Sequence, residues 1–183
     1  MRRNILIIDL ESTCSHDEEI GEEDMEIIEI GAIVIDRAFN HLATFQSFAK
    51  PENNPLLTEF CHELTGISQK SVDTAQDIVH VLSELSNFVT TYNPELWFSW
   101  GQYDANQIER DCLRAGMNNP LTIPHVNAKK EFSKLRGIRK RVGLKKAVEI
   151  CHCKWLGNHH RAVDDARNLV QVLRENPKLV SME

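Results

Sequence analysis

The pattern of apolar and polar positions predicts three β-strands near the start of the chain. Asn4–Leu10 is a short apolar run that ends at two closely spaced acids, Ile27–Asp36 is apolar and β-branched, and Leu42–Ala49 alternates. A continuous apolar run indicates a central strand covered on both faces, whereas alternation indicates one solvent-exposed face. Because short links join them, these strands are expected to pair as an antiparallel meander.

The rest of the chain alternates between extended and helical patterns. Trp97–Trp100 is predicted as a short strand and Leu121–Asn127 as an edge strand. Apolar residues at helical spacing predict four helices: Val72–Thr91, Asp104–Ala115 with Gly116 as its C-cap, Leu144–Cys151, and Ala162–Leu173. Strands first and strand–helix units later predict an α/β fold, in which a mixed five-stranded sheet is flanked by helices.

Composition is that of an ordinary folded protein. The 183 residues are 42% hydrophobic, with eight glycines and six prolines, and are expected to form one domain over 1–183. No apolar run approaches the roughly 20 residues of a membrane span, and the charged first segment is too short for a signal peptide. Five cysteines, an odd number, suggest reduced thiols and a cytoplasmic location.

Charge is distributed unevenly. The formal net charge of −6 excludes attraction of the whole protein to a polyanion. Lys129–Lys146 nevertheless carries nine bases against the single acid Glu131, which fits either a local contact with a phosphate backbone or a solvated helix face. Asp17–Glu29 carries eight acids and no base. This stretch is expected to be a solvated loop, because it lacks the glycine and ligand spacing of an EF-hand.

Two acids lie at the end of the first predicted strand. Asp9 and Glu11 are two residues apart, so their side chains project from the same face. Carboxylates at the end of an apolar central strand are costly unless something neutralises them. Mg²⁺ or Mn²⁺ would do so, because these cations prefer carboxylate oxygens. The simpler alternative is a pair of surface acids at a frayed strand end.

A third acid, Asp104, begins the helix that follows Trp97–Trp100. Ile108, Cys112 and Ala115 come four, eight and eleven residues later, so Asp104 lies on the inward stripe of its helix. An aspartate in this position is either an N-terminal cap or a ligand that faces the sheet edge. A carboxylate at a second strand end favours the ligand.

The last predicted helix has a histidine before it and two acids in its first turn. Asp165 flanks the apolar stripe, whereas Asp164 is expected to point to water. His160 precedes Asp165 by five residues and does not share its helical face, so it is expected in the loop that enters the helix. From a loop, a histidine can approach a metal-bound water without being a ligand.

Together these motifs resemble the DnaQ-like 3′→5′ exonucleases of the DEDDh type, whose name denotes four acids and a histidine. The matching segments are Asp9–Glu11, Cys61–Ile67 (CHELTGI), Trp100–Asp104 and His160–Asp165. Ile8–Cys14 (IDLESTC) and His159–Ala166 (HHRAVDDA) look most like the RNA-trimming, Eri-like and KapD-like branch. Each motif alone is weak, but three catalytic motifs in the expected order are a specific signal.

The resemblance implies a ribonuclease-H-like fold and metal-dependent hydrolysis at the 3′ end of single-stranded nucleic acid, with RNA favoured over DNA. Nucleoside 5′-monophosphates would be released. His160 would be the general base that takes a proton from the attacking water. Two ions, Mg²⁺ or Mn²⁺, would be held by four carboxylates: Asp9, Glu11, Asp104 and Asp165.

The resemblance also implies substrate contacts. Leu10 and Thr13 would contact the terminal nucleotide, and Leu64 would wedge against a terminal base, although an apolar residue of this kind also commonly fills a core. The basic segment adds a prediction of its own. Because the site itself is acidic, phosphates behind the scissile bond are expected to be held by exposed bases: Arg139, Lys140 and Arg141.

Three other interpretations remain open. The enzyme could act on DNA, as a proofreading or repair exonuclease does, because no residue unambiguously reads a 2′-hydroxyl. A non-catalytic nucleic-acid-binding protein is disfavoured by the complete set of four acids and a histidine. A zinc site made of Cys151, Cys153, His159 and His160 is disfavoured because the paired Cys-x-x-Cys spacing is absent.

Overall fold

Five strands form one mixed sheet in the computed structural model, which describes residues 4–16 and 19–181. The strand order is β3-β2-β1-β4-β5, where β1, β2 and β3 are antiparallel and β4 and β5 run parallel to β1. The strands span Asn4–Ser12 (β1), Ile27–Asp36 (β2), His41–Phe48 (β3), Pro94–Ser99 (β4) and His125–Asn127 (β5). The predicted meander and mixed five-stranded sheet are confirmed.

Helices cover both faces of the sheet. One face is packed by α3 and α4 and the other by α5, α6 and α7. The helices span Glu59–Thr65 (α1), Gln69–Asp73 (α2), Ile78–Tyr92 (α3), Tyr103–Arg114 (α4), Ala128–Leu135 (α5), Leu144–Ile150 (α6) and Ala162–Arg174 (α7). Among the described residues, no helix is both long enough and apolar enough to cross a membrane.

Strand β1 is the central strand, and its alternation decides where its two acids point. Ile5 and Ile7 pack against the core that contains α7, whereas Leu6 and Ile8 pack on the opposite face with α3 and α4. Because side chains alternate along a strand, the acids that follow at odd positions continue the face covered by α7.

The single helix predicted over Val72–Thr91 is wrong. The chain leaves the helical path after Asp73, and Gln76 pairs with Ala49 in an isolated β-bridge. Asp77 then starts α3, because its side chain accepts a hydrogen bond from the His80 N–H at 2.8 Å. Such N-terminal capping stabilises a helix start by about 1 kcal/mol. The apolar spacing continues across this break, so the spacing alone did not reveal that a new helix begins at the capping residue Asp77.

Two other local predictions also need correction. The edge strand predicted over Leu121–Asn127 is confined to His125–Asn127, because Pro124 has no N–H with which to extend the ladder. The stretch of acids is not uniformly solvated, since Glu26 and Glu29 are buried. Its members Asp17 and Glu18 lie outside the described residues.

Candidate active site

Four carboxylates meet at the floor of an open cavity of about 460 Å³, at the carboxyl ends of β1 and β4. Asp9 and Glu11 come from β1, Asp104 from the first turn of α4, and Asp165 from the first turn of α7. His159 and His160 also line the cavity. The structure therefore brings together all four acids and the histidine that the sequence singled out.

Asp104 links the helix start to the central strand. Its side chain is 5% exposed, and its Oδ1 accepts a hydrogen bond from the Leu10 N–H at 3.2 Å. The N-cap position of α4 belongs to Gln102, which makes no side-chain capping bond. Asp104 is therefore not the N-terminal cap of α4. The structure favours the other predicted alternative, in which Asp104 faces the sheet edge.

Burial and mutual repulsion make the acids reluctant to ionise. Burial raises the pKa of Asp104 to about 6, although hydrogen bonds from Ser99 and Leu10 oppose the shift. Burial together with neighbouring carboxylates raises the pKa of Asp165 to about 7 and that of Glu11 to about 9, and raises the pKa of Asp9 well above its usual value. Such a cluster requires either protons or cations to balance its charge.

Divalent cations fit this donor set. Carboxylate oxygens of Asp9, Glu11 and Asp165 lie within 4.8 Å of one another. The Oδ1 atom of Asp165 is buried and has no hydrogen-bond partner among the described residues. An unsatisfied buried carboxylate oxygen is costly, and a hard cation such as Mg²⁺ or Mn²⁺ would satisfy it.

His160 lies in the loop before α7, as predicted. Its backbone is left-handed with φ of 62°, and α7 begins only at Ala162. The His160 ring lies 3.9 Å from the His159 ring, which is in edge contact with Trp155. Burial lowers the pKa of His160, which keeps its imidazole neutral near pH 7. A neutral imidazole at the cavity wall can accept a proton.

Glu29 and Arg161 hold this loop in place, although neither was predicted from the sequence to be a site residue. Glu29 is fully buried in β2, and its carboxylate accepts two hydrogen bonds from the Arg161 guanidinium at 3.1 Å. It also accepts the Ala162 N–H, so it satisfies the start of α7 from a neighbouring strand. The available signal was an acid near the start of a mostly apolar strand.

The three residues expected to contact the terminal nucleotide differ in their exposure to the cavity. Leu10 and Leu64 line the cavity, and Leu64 is 37% exposed. Thr13 is only 1% exposed, and its Oγ1 accepts the Glu26 N–H at 2.9 Å. That hydroxyl holds the loop after β1, and the nucleotide contact expected of Thr13 stays a prediction.

Three of the exposed bases in the basic segment are close in sequence to a residue that lines the cavity. Arg139, Lys140 and Arg141 are exposed and form no ion pair within residues 4–16 and 19–181. Gly143, two residues beyond Arg141, lines the cavity wall. The Trp100 indole N–H donates to the Val142 carbonyl at 3.2 Å, which ties this loop to the end of β4.

Asp164 does not simply point to water. Its carboxylate accepts hydrogen bonds from the Asn158 N–H at 2.9 Å and from Arg167 at 2.7 Å, so it stabilises the turn before α7. The predicted contrast with Asp165 nevertheless has a structural basis, since Asp165 lines the cavity and Asp164 does not.

Comparison with protein families identifies known relatives. The family model described as Exonuclease (RNase_T) matches residues 6–173. ERI1 exoribonuclease 2 of Homo sapiens is 26% identical over 186 residues, which cover 90% of this chain but only 27% of that protein. The probable 3′-5′ exonuclease KapD of Bacillus subtilis is 30% identical over 165 residues, which cover 89% of this chain and 79% of KapD. The chain thus spans about a quarter of the first relative and most of the second.

Comparison with solved structures supports the fold. The nuclease domain of 3′hExo, a DEDDh family member bound to rAMP, superimposes with a TM-score of 0.86 at 23% identity, covering 98% of this chain and 92% of that domain. Exonuclease I has a TM-score of 0.78 at 13% identity and covers 98% of this chain and 43% of its own. The predicted ribonuclease-H-like fold is confirmed.

Proposed function

Because this chain belongs to the exonuclease family, as its motifs predicted, we propose that it is a metal-dependent 3′→5′ exonuclease that shortens single-stranded RNA and releases nucleoside 5′-monophosphates. The observation that carries this proposal is the convergence of four carboxylates from three separate elements with His160 in one open cavity. A structural role alone does not explain the clustering of four acids, three of them buried and Asp9 half-buried, because their mutual repulsion destabilises the fold.

In this proposal Asp9, Glu11, Asp104 and Asp165 hold two Mg²⁺ or Mn²⁺ ions. Bound ions of this kind supply charge stabilisation at the attacking and leaving oxygens of the phosphodiester. The hydrogen bond from the Leu10 N–H to Asp104 ties the first turn of α4 to the end of β1. The fold therefore positions the donors before a substrate arrives, which avoids reorganisation during the reaction.

His160 acts as the general base. Its imidazole is neutral near pH 7 and lines the same cavity as the carboxylates, so it can accept the proton of the attacking water. Glu29 acts through Arg161 and the first turn of α7, which places the His160 loop against the cavity. Glu29 and Arg161 are positioning residues in this scheme.

Substrate binding uses the remaining walls of the cavity. Leu10 and the exposed Leu64 offer apolar contacts to the terminal nucleotide. Arg139, Lys140 and Arg141 bind phosphates farther along the strand. RNA is favoured over DNA because ERI1 exoribonuclease 2 is named for RNA. A cytoplasmic location is consistent with five unpaired cysteines.

The test is incubation with 3′-labelled single-stranded RNA and DNA of the same sequence, in Mg²⁺, Mn²⁺ or EDTA. The expected result is release of labelled 5′-monophosphate, faster from RNA, and none in EDTA. Circular single-stranded RNA should remain intact, because it has no 3′ end. Cleavage of the circle, or equal release in EDTA, would exclude the proposed reaction, and faster hydrolysis of DNA would exclude the RNA preference.

A further inference from the structure

His159, His160 and Asp165 form a second cluster of potential metal ligands at the cavity wall. One donor atom from each residue lies within 4.8 Å of the other two. The His159 and His160 rings are 3.9 Å apart, and the edge contact with Trp155 holds the His159 ring on this side. His159 has no role in the proposed hydrolysis, so its presence in this cluster is otherwise unexplained.

The chemistry of these donors differs from that of the four-carboxylate cluster. Two imidazole nitrogens and one carboxylate oxygen suit Zn²⁺ and related transition metals, whereas Mg²⁺ prefers oxygen ligands and water. Three protein ligands with an open fourth position are a common arrangement for zinc. We propose that His159, His160 and Asp165 bind one Zn²⁺ ion and that this ion inhibits the enzyme.

The geometry requires only modest adjustment. Ligands about 2.0–2.1 Å from a tetrahedral zinc lie roughly 3.4 Å from one another. The donors must therefore approach by at most about 1.4 Å from their 4.8 Å limit, a shift within reach of side-chain rotation. Asp165 also has a buried Oδ1 atom that lacks a hydrogen-bond partner among the described residues, so its carboxylate has unused donor capacity.

The zinc site proposed here differs from the one that the sequence disfavours, which combined Cys151 and Cys153 with the two histidines. Cys151 is buried away from the histidines, where its sulfur accepts a hydrogen bond from the Asn176 side chain at 3.3 Å. Within the described residues, neither Cys151 nor Cys153 contributes to the His159–Asp165 cluster. In the cluster proposed here, the ligand that accompanies the two histidines is the Asp165 carboxylate, from the first turn of α7.

Inhibition follows from shared residues. A zinc ion held by His160 would occupy the lone pair that accepts the proton from water, and it would also engage Asp165. Zn²⁺ and the catalytic ions would then compete. This inhibitory consequence rests on the proposed function, whereas binding of zinc to the cluster does not.

The test uses the metal-free chain, titrated with Co²⁺ as a spectroscopic substitute and then with Zn²⁺ by calorimetry. The parent protein should give visible Co²⁺ bands typical of low coordination number, which stoichiometric Zn²⁺ abolishes. His159→Gln should weaken zinc affinity by at least about tenfold, in line with the effects of perturbing a metal's surroundings. His80→Gln, which changes an exposed histidine on α3, should bind zinc as the parent does.

Hydrolysis of labelled RNA at constant Mg²⁺ provides the second measurement. The His159→Gln variant should keep activity within a few-fold of the parent and require at least about tenfold more zinc for half inhibition. Equal zinc affinity of parent and His159→Gln would overturn the site, as would an intense Co²⁺–thiolate band that is unchanged in the variant. Zinc binding that depends on His159 but does not affect hydrolysis would overturn only the inhibitory role.

Discussion

Gly31 and the backbone of Val163 are in direct contact, and this contact brings α7 to the level of the acids. Gly31 pairs with Asp9 across β1 and β2. A Cβ atom at Gly31 would lie 2.6 Å from the Val163 Cα and closer still to its backbone nitrogen. Because no side chain intervenes, the first turn of α7 rests on the sheet, and Asp165 reaches the cavity floor.

Replacing Gly31 with alanine should therefore damage both stability and site geometry. The added methyl group meets backbone atoms, which cannot rotate away, so the free energy of unfolding should fall by about 3 kcal/mol, the upper end of the usual cost of overpacking. Urea unfolding monitored by circular dichroism measures this change. Gly143→Ala is the matched control, since a Cβ there meets nothing within 4 Å. Similar losses in both variants would contradict the argument.

Removing one of the acids should abolish both metal stabilisation and hydrolysis. In the parent protein, Mg²⁺ or Mn²⁺ should raise the thermal unfolding temperature, because a ligand that binds the native state stabilises it by mass action. Asp9→Ala and Asp104→Ala should lose this metal-dependent increase and the nuclease activity. Differential scanning fluorimetry with and without metal provides the measurement. Parent-like activity in either variant would show that the acid is not part of the site.

His160→Ala should affect the chemical step rather than binding. Loss of a general base should lower kcat by about 10²–10⁴-fold, while RNA affinity stays nearly constant. Single-turnover kinetics and filter binding separate the two quantities. His159→Ala should be mild in the absence of zinc. If His159 instead proves the sensitive residue, the base has been assigned to the wrong member of the pair.

Stability of the metal-free protein should fall as pH rises. An acid with a raised native pKa keeps its proton where the unfolded chain has already lost it, so the native state binds more protons and loses stability with increasing pH. The loss should begin above pH about 4, the unfolded value, and continue through the native pKa values of about 6 for Asp104, about 7 for Asp165 and about 9 for Glu11.

This dependence can be measured as thermal unfolding temperature between pH 5 and 9, in EDTA and in saturating Mg²⁺. The decline should be steeper in EDTA, because metal stabilises the ionised acids. Asp104→Asn removes one titrating group and should flatten the EDTA profile. A metal-free unfolding temperature that rises over this interval would contradict the raised pKa values.

Replacing Arg139, Lys140 and Arg141 together with alanine should weaken binding of long oligonucleotides. Each lost phosphate contact should reduce the slope of log affinity against log salt by about 0.7 for a single strand. Cleavage of a dinucleotide, which is too short to reach this loop, should change little. A triple variant of exposed bases elsewhere, at Lys50, Lys70 and Lys178, controls for net charge. If both variants behave alike, the segment is only a solvated surface.

Much of the fold could be predicted from local sequence patterns. The apolar run of β1, the alternation of β3 and the helical spacing of α4 and α7 are local properties of consecutive residues. The first acidic motifs directly follow predicted strands, so their acids could be placed at strand ends. Because parallel strands end at the same edge of a sheet, these acids were expected to lie together. Apolar spacing did not predict the helix start at Asp77, whose side chain caps α3 within what looked like one continuous helix.

Tertiary structure alone decided the finer roles around the site. Burial of Thr13 and the attachment of Arg161 to Glu29 join parts of the chain whose local patterns carry no information about one another. His159 and Asp165 are close in sequence, but helical spacing did not predict that their donor atoms meet. The periodicity of a segment specifies which face is buried but not which distant side chain it meets. That partner is determined by the register of β1 against β2 and by the contact of α7 with Gly31.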